Sequence, residues 1–121
     1  MAQTPATRHT DRGQLDYTPS SAVTGGTVIV LGSLVAIAEV DIAANTLGSL
    51  ATEGIFKVPK ITGAITVGAP VYWDPTGNPD GGTAGSGAAT ATAGSLELMG
   101  YAALAALSGD DYVYVLLSNA V

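Results

Sequence analysis

Cysteine is absent from this 121-residue sequence, and there is one histidine, one tryptophan, one phenylalanine and four basic residues. Without cysteine there is no disulfide, no thiolate metal ligand and no cysteine nucleophile. The single histidine, His9, lies in a polar, proline-containing stretch near the start. A hydrolase triad needs its base within hydrogen-bond reach of the nucleophile, and His9 is poorly placed for that. The chain is therefore read as a non-enzyme, with no catalytic residue, no metal and no cofactor. The four cations, Arg8, Arg12, Lys57 and Lys60, face ten acids for a net charge of -6. Nucleic-acid binding draws its affinity from many phosphate-neutralising cations, so that class is excluded.

Long apolar runs are missing too. The segment 27–44, TVIVLGSLVAIAEVDIAA, is broken by Gly32, Ser33, Glu39 and Asp41 and falls short of the ~18 uninterrupted apolar residues of a membrane span. Residues 1–15 hold no apolar core of a secretory signal. The expectation is a chain made in the cytosol, with no membrane partner.

Small and β-branched residues fill the sequence. Hydrophobic residues make up 47% but aromatics only 6%, which suits thin, tightly packed layers better than a ligand-lined aromatic cavity. Charged residues reach 12%, about half the usual share, so self-association is the expected outlet for apolar surface. At 12.0 kDa the chain has room for one core. Area scaling for that mass gives roughly two-thirds of the unfolded surface buried.

Residues 1–22 are rich in Thr and Ser, contain Pro5 and Pro19, and lack apolar periodicity. They are read as an extended N-terminal arm, followed by a single β domain over 23–121. Residues 1–12 carry a net charge of +1 and residues 13–121 a net charge of -7.

Two β-branched runs, 27–31 and 34–40, flank Gly32 and Ser33, a pair suited to a type II′ hairpin turn or to a local bulge, so a hairpin or a kinked strand is expected. Residues 54–59, GIFKVP, alternate with Phe56 inward, and Pro59 marks the strand end or an edge. Residues 61–67 lead into 70–74, PVYWD, where neighbouring Tyr72 and Trp73 point to opposite faces. One is expected in the core and the other in a subunit contact. Residues 74–95 are Gly-, Ala- and Thr-rich and read as a long loop that pairs briefly near 88–93. Residues 96–107 and 112–117, joined by Ser108, Gly109, Asp110 and Asp111, read as a closing hairpin. Within it LMGYAALAAL competes as a helix, but Gly100 and the strand that follows favour β. Short runs punctuated by turns indicate an all-β fold, a small antiparallel β-sandwich or barrel.

Asp74, Thr76, Asn78 and Asp80 alternate like the oxygens of a calcium loop, yet the closing Glu is missing and Pro75 and Pro79 fit turns. Asp110 and Asp111 form a paired-acid turn, better read as a solvated loop than as acid-base machinery. Glycines abound, but none precedes the Lys and Ser or Thr of a phosphate-binding loop.

The succession GGTVIVLGSLVAIAEVDIAANTLGSLATEGIFKVPK, ITGAITVGAPVYWDPTGN and LMGYAALAALSGDDYVYVLL, over about residues 25–117, resembles the small cement, or decoration, proteins of bacteriophage heads. The order of the pieces is more specific than any one of them. The resemblance implies a β-rich, non-enzymatic body, a homotrimer seated on the outer surface of the capsid, with the major capsid protein as its partner. Departures are the long arm before Tyr17 and the Gly/Ala loop over 77–94. On this reading Arg8, Arg12 and Tyr17 of the arm are the candidate capsid contacts, and Phe56, Tyr72, Trp73, Tyr112 and Tyr114 the oligomer or core anchors. The rival function is a host-surface or glycan-binding module displayed on the head, with aromatic rings as its platform.

Overall fold

Short runs of β-branched and small residues, each ended by a turn, produce nine strands and no helix among the residues that the computed structural model describes, 3, 4, 6 and 13–117. They are β1 (Gln14–Tyr17), β2 (Val28–Leu31), β3 (Leu34–Ile37), β4 (Gly48–Ala51), β5 (Gly54–Pro59), β6 (Pro70–Asp74), β7 (Ala88–Thr90), β8 (Glu97–Ala102) and β9 (Tyr112–Leu117). Four form one sheet in the order β1-β4-β3-β2, and five a second in the order β5-β9-β8-β6-β7. All the strand pairings are antiparallel. The architecture is sandwich-like rather than a closed barrel. A single parallel bridge, Lys60 to Ala89, ties the chain just past β5 to β7 at the opposite edge of its sheet.

The main core lies between the sheets, with Val35 and Ile37 of β3 meeting Val58, Val71, Trp73, Met99, Val113 and Val115. A second cluster, Ala36, Ala38, Ile42 and Leu50, sits on the other face of the four-stranded sheet. β3 therefore buries both faces, which explains its unbroken apolar sequence. β9 shows the opposite pattern: Val113, Val115 and Leu117 are buried, while Tyr112, Tyr114 and Leu116 alternate outward. On β8 a register shift opposite Val71 and Tyr72 sends both Met99 and Gly100 inward. Gly100 lies so close to β9 that a β-carbon there would overlap the Leu116 carbonyl oxygen.

The hairpin of β2 and β3 closes at Leu31 and Leu34 across Gly32 and Ser33. Gly32 has φ 62° and Ser33 is not left-handed, as the type II′ turn requires. Pro59 ends β5, which is also an edge strand.

Several boundaries differ from expectation. Residues 14–17, assigned to the arm, form β1 and pair along their whole length with β4. Leu15 and Tyr17 lean on the second cluster while Gln14 and Asp16 point outward, a four-residue alternation hidden in a polar background. The chain between β1 and β2 is also tied down, by the Val23 to Ile42 bridge and by Asn45 N donating to Pro19 O (2.7 Å). The four-stranded sheet thus begins inside the range drawn as arm. β4 had not been foreseen, because Gly48 and Ser49 mask its short apolar end. The second strand of the hairpin stops at Ile37 rather than 40, and β8 stops at Ala102 rather than 107. The loop over 74–95 does pair briefly, and its Ala88 and Ala89 are fully buried.

Candidate functional site

The outward face of the five-stranded sheet concentrates apolar surface. Antiparallel register sets Pro70, Tyr101, Leu116 and Ile55 in one row across β6, β8, β9 and β5. The next rows pair Tyr114 with Lys57 and Tyr112 with Pro59. Ile55 is 61% exposed, and Tyr101, Tyr112, Tyr114 and Leu116 between 37% and 45%. At ~200 Å² per large side chain, these five expose on the order of 400 Å². That is the size of the largest apolar patch on a typical monomer, roughly 300–600 Å², which often has a function. Its one cation, Lys57, lies with Nζ 4.4 Å from the centroid of the Tyr112 ring, a cation–π pair that orients the tyrosine across the strands.

The anchors proposed from the sequence fall on different layers. Trp73 is 8% exposed and belongs to the main core, beside Gly87, whose φ of 107° and missing side chain leave room for the indole. Its ring face is thus taken up by packing. Tyr72 is half-buried on the other face of β6, Phe56 is half-buried against the main core, and Tyr112 and Tyr114 are exposed. Tyr17 is the last residue of β1 and packs against the second cluster. Arg8, Arg12 and His9 lie outside the described residues.

Asp74, Thr76 and Asn78 of the 74–80 stretch have their side-chain oxygens in local hydrogen bonds. Asp74 Oδ1 accepts from Thr76 N (3.1 Å) and Thr76 Oγ1 (3.3 Å), and Asn78 Oδ1 accepts from Gly85 N (2.7 Å). These bonds shape turns. Asp110 does the same, its Oδ2 accepting from Leu107 N (2.8 Å). No group of three or more metal-ligating His, Cys, Asp or Glu occurs among the described residues.

Lys60 was missed as a structural residue. It is fully buried, and its Nζ donates to the carbonyl oxygens of Leu107 (3.2 Å), Ser108 (3.3 Å) and Asp110 (3.3 Å). The three N–H donors of an ammonium match three acceptors. Lys60 N also donates to Asp111 O (3.1 Å), and Lys60 O accepts from Asp80 N (2.8 Å). One side chain thus holds the turn before β9, the strand that carries Tyr112, Tyr114 and Leu116. The only sequence signal was a lysine directly after a strand-ending proline, in a chain with four cations.

Compared with known families, residues 9–117 match the model of the phage cement protein family. The chain belongs to that family. This cement protein accordingly has a structural role at the phage capsid, and the resemblance first drawn from 25–117 extends into β1. No curated protein and no solved structure gave a significant match. The patch on the five-stranded sheet is the feature of the cement protein best suited to contact another protein.

Proposed function

We propose that this cement protein assembles as a homotrimer, binds the outer surface of the phage head and stabilises the lattice of the major capsid protein. The observation that carries the reading is the outward face of β5, β9 and β8, an apolar and tyrosine-rich surface on a family member whose role is structural. Covering its roughly 400 Å² contributes about 10 kcal/mol before the cost of association is subtracted. Tyr112 and Tyr114 act there as subunit anchors, and closed symmetry keeps the assembly finite. Arg8 and Arg12 meet acidic capsid surface, and Tyr17 anchors β1, the strand that follows them, against the second cluster. Three weak arm contacts on one trimer raise effective concentration, so avidity exceeds a single arm by ~10² to 10⁴. The trimer binds the assembled lattice and not its dissociated parts, which stabilises the shell by mass action.

The test combines light scattering with heating of intact heads. The wild-type protein runs as a trimer and raises the temperature at which heads release their genome. A Tyr114→Glu, Leu116→Asp double variant keeps its β spectrum but runs as a monomer and loses that effect. A wild-type protein that stays monomeric at high concentration and ignores heads defeats the proposal. The glycan-binding alternative predicts a saturable response on a glycan array, and the burial of Trp73 in the core speaks against a platform built on it.

A further inference from the structure

The edges of the two sheets are not equally guarded. β5 carries Lys57 and Pro59, β7 is three residues long and bridged at Ala89 to Lys60, and β1 carries Asp16. Charge, proline, shortness and cover are the usual devices against edge-to-edge pairing. β2 reads Val28-Ile29-Val30-Leu31, without charge, proline or bulge, and among the described residues has a strand neighbour only in β3.

The register fixes which backbone groups of β2 face outward. Ala38 N donates to Thr27 O (3.0 Å), and the hairpin closes at Leu31 and Leu34, so residues 27, 29 and 31 bond to β3. By the alternation of an antiparallel ladder, the N–H and C=O of Val28 and Val30 point to the open edge. Neither bonds to any other described residue. Beside that edge, Thr27 and Val28 share a cleft of about 300 Å³ with Trp73, Pro75 and Gly87. An open strand flanked by a side-chain pocket is the geometry of strand addition.

We propose that β2 is a self-association edge, at which two copies of this chain pair antiparallel about a two-fold axis through Ile29. In that register Val28 of one copy faces Val30 of the other, and all four outward N–H and C=O pairs are satisfied. Ile29 meets its own counterpart, and the second copy's Val30 lies on the face that holds the cleft. Charge favours this edge for a like partner. Residues 13–121 carry nine acids against two lysines, one of them buried, so most surfaces of two copies repel, whereas the strand 28–31 is neutral. Three facing residue pairs bury far less than the roughly 1,000 Å² of a stable dimer, so the contact is weak alone and is populated where copies are concentrated. The two-fold consumes the edge, so each β2 pairs with one other and no further strand adds at that contact.

The absence of cysteine makes the register directly testable. Ile29→Cys places two thiols at a non-hydrogen-bonded cross-strand pair, where Cα atoms lie ~4.5 Å apart, within disulfide range. Under mild oxidation at millimolar concentration it forms a disulfide-linked dimer at least tenfold faster than Leu31→Cys, whose counterparts lie on opposite sides of the axis. Val30→Pro removes an outward N–H, which an edge strand tolerates. Added to Ile29→Cys, it keeps the wild-type β spectrum and abolishes the fast cross-link. Equal cross-linking of the two cysteine variants, or none by either, overturns the proposal. So does a Val30→Pro variant that stops binding heads while Ile29→Cys fails to cross-link, which assigns the edge to a capsid strand. Because the cross-link is read without heads, it stands or falls separately from the capsid reading.

Discussion

Replacing Lys60 by methionine keeps the length and apolar stem of a fully buried side chain and removes only its three donors. Each bond to a carbonyl contributes on the order of 1 kcal/mol, below the ~1.5–3 of a well-placed charged donor, because the N···O distances are 3.2–3.3 Å. Two effects reduce the loss. The residues that provide the carbonyls, Leu107, Ser108 and Asp110, are exposed and can turn to water, and methionine no longer needs an ammonium to be stripped of solvent. The expected balance is a loss of about 2 kcal/mol, or ~8 °C in Tm for a chain of this length. Lys60→Ala also forfeits three buried methylenes at ~0.8 kcal/mol each. It should lose about 4 kcal/mol in all, close to the whole stability of a marginal domain. Calorimetry supplies both numbers. Amide exchange adds the location: Leu107 and Asp110 should exchange faster in Lys60→Met, and the hairpin of β2 and β3 should not change. A methionine variant as stable as the wild type would refute the argument, because the desolvation of the ammonium would then outweigh its bonds.

Two further substitutions probe the core. Trp73→Ala should cost about 3–5 kcal/mol, the range for a large aromatic removed from a packed interior, and the native tryptophan emission should be blue-shifted and move red on unfolding in urea. Gly100→Ala should prevent β8 and β9 from pairing, since the new methyl has only the Leu116 backbone to displace; a folded variant by circular dichroism would contradict the close approach of the strands.

The fold class was legible because the strongest strands obey period two or carry unbroken apolar runs between turn residues. At Gly32 the sequence allows a hairpin or a kinked strand, and the structure has the hairpin; the alternation of β9 is plain in its letters. What escaped was short or masked. In β1 only Leu15 and Tyr17 signal a strand, and β4 begins with Gly48 and Ser49. β8 ends where Ala102 meets Val115, although the apolar letters run on to Leu107, because Leu104 and Leu107 spend their side chains in solvent at 57% and 72% exposure. The tyrosine face could be listed residue by residue from the sequence, but its continuity depends on which strands are neighbours. β5 and β9 are more than fifty residues apart in the chain and adjacent in the sheet. Lys60 was illegible for a similar reason, since its three acceptors are backbone atoms about fifty residues away.

Burial of Lys60 also changes the electrostatics of capsid binding. Among the described residues Lys57 is then the one exposed cation, while the acids of 13–117 remain. Residues 1–12 carry a net charge of +1. A uniformly acidic capsid surface would attract the arm and repel the body, and salt would screen both. Removing residues 2–12 isolates the body, whereas a cut at 16 would delete three of the four residues of β1 and confound binding with folding. If Arg8 and Arg12 hold the protein to acidic capsid, full-length binding should weaken as salt rises. The truncated protein, left with repulsion alone, should bind more weakly at low salt and recover as salt increases. Parallel salt curves for the two proteins would show that the arm carries no electrostatic share, and would place the capsid contact on the body instead.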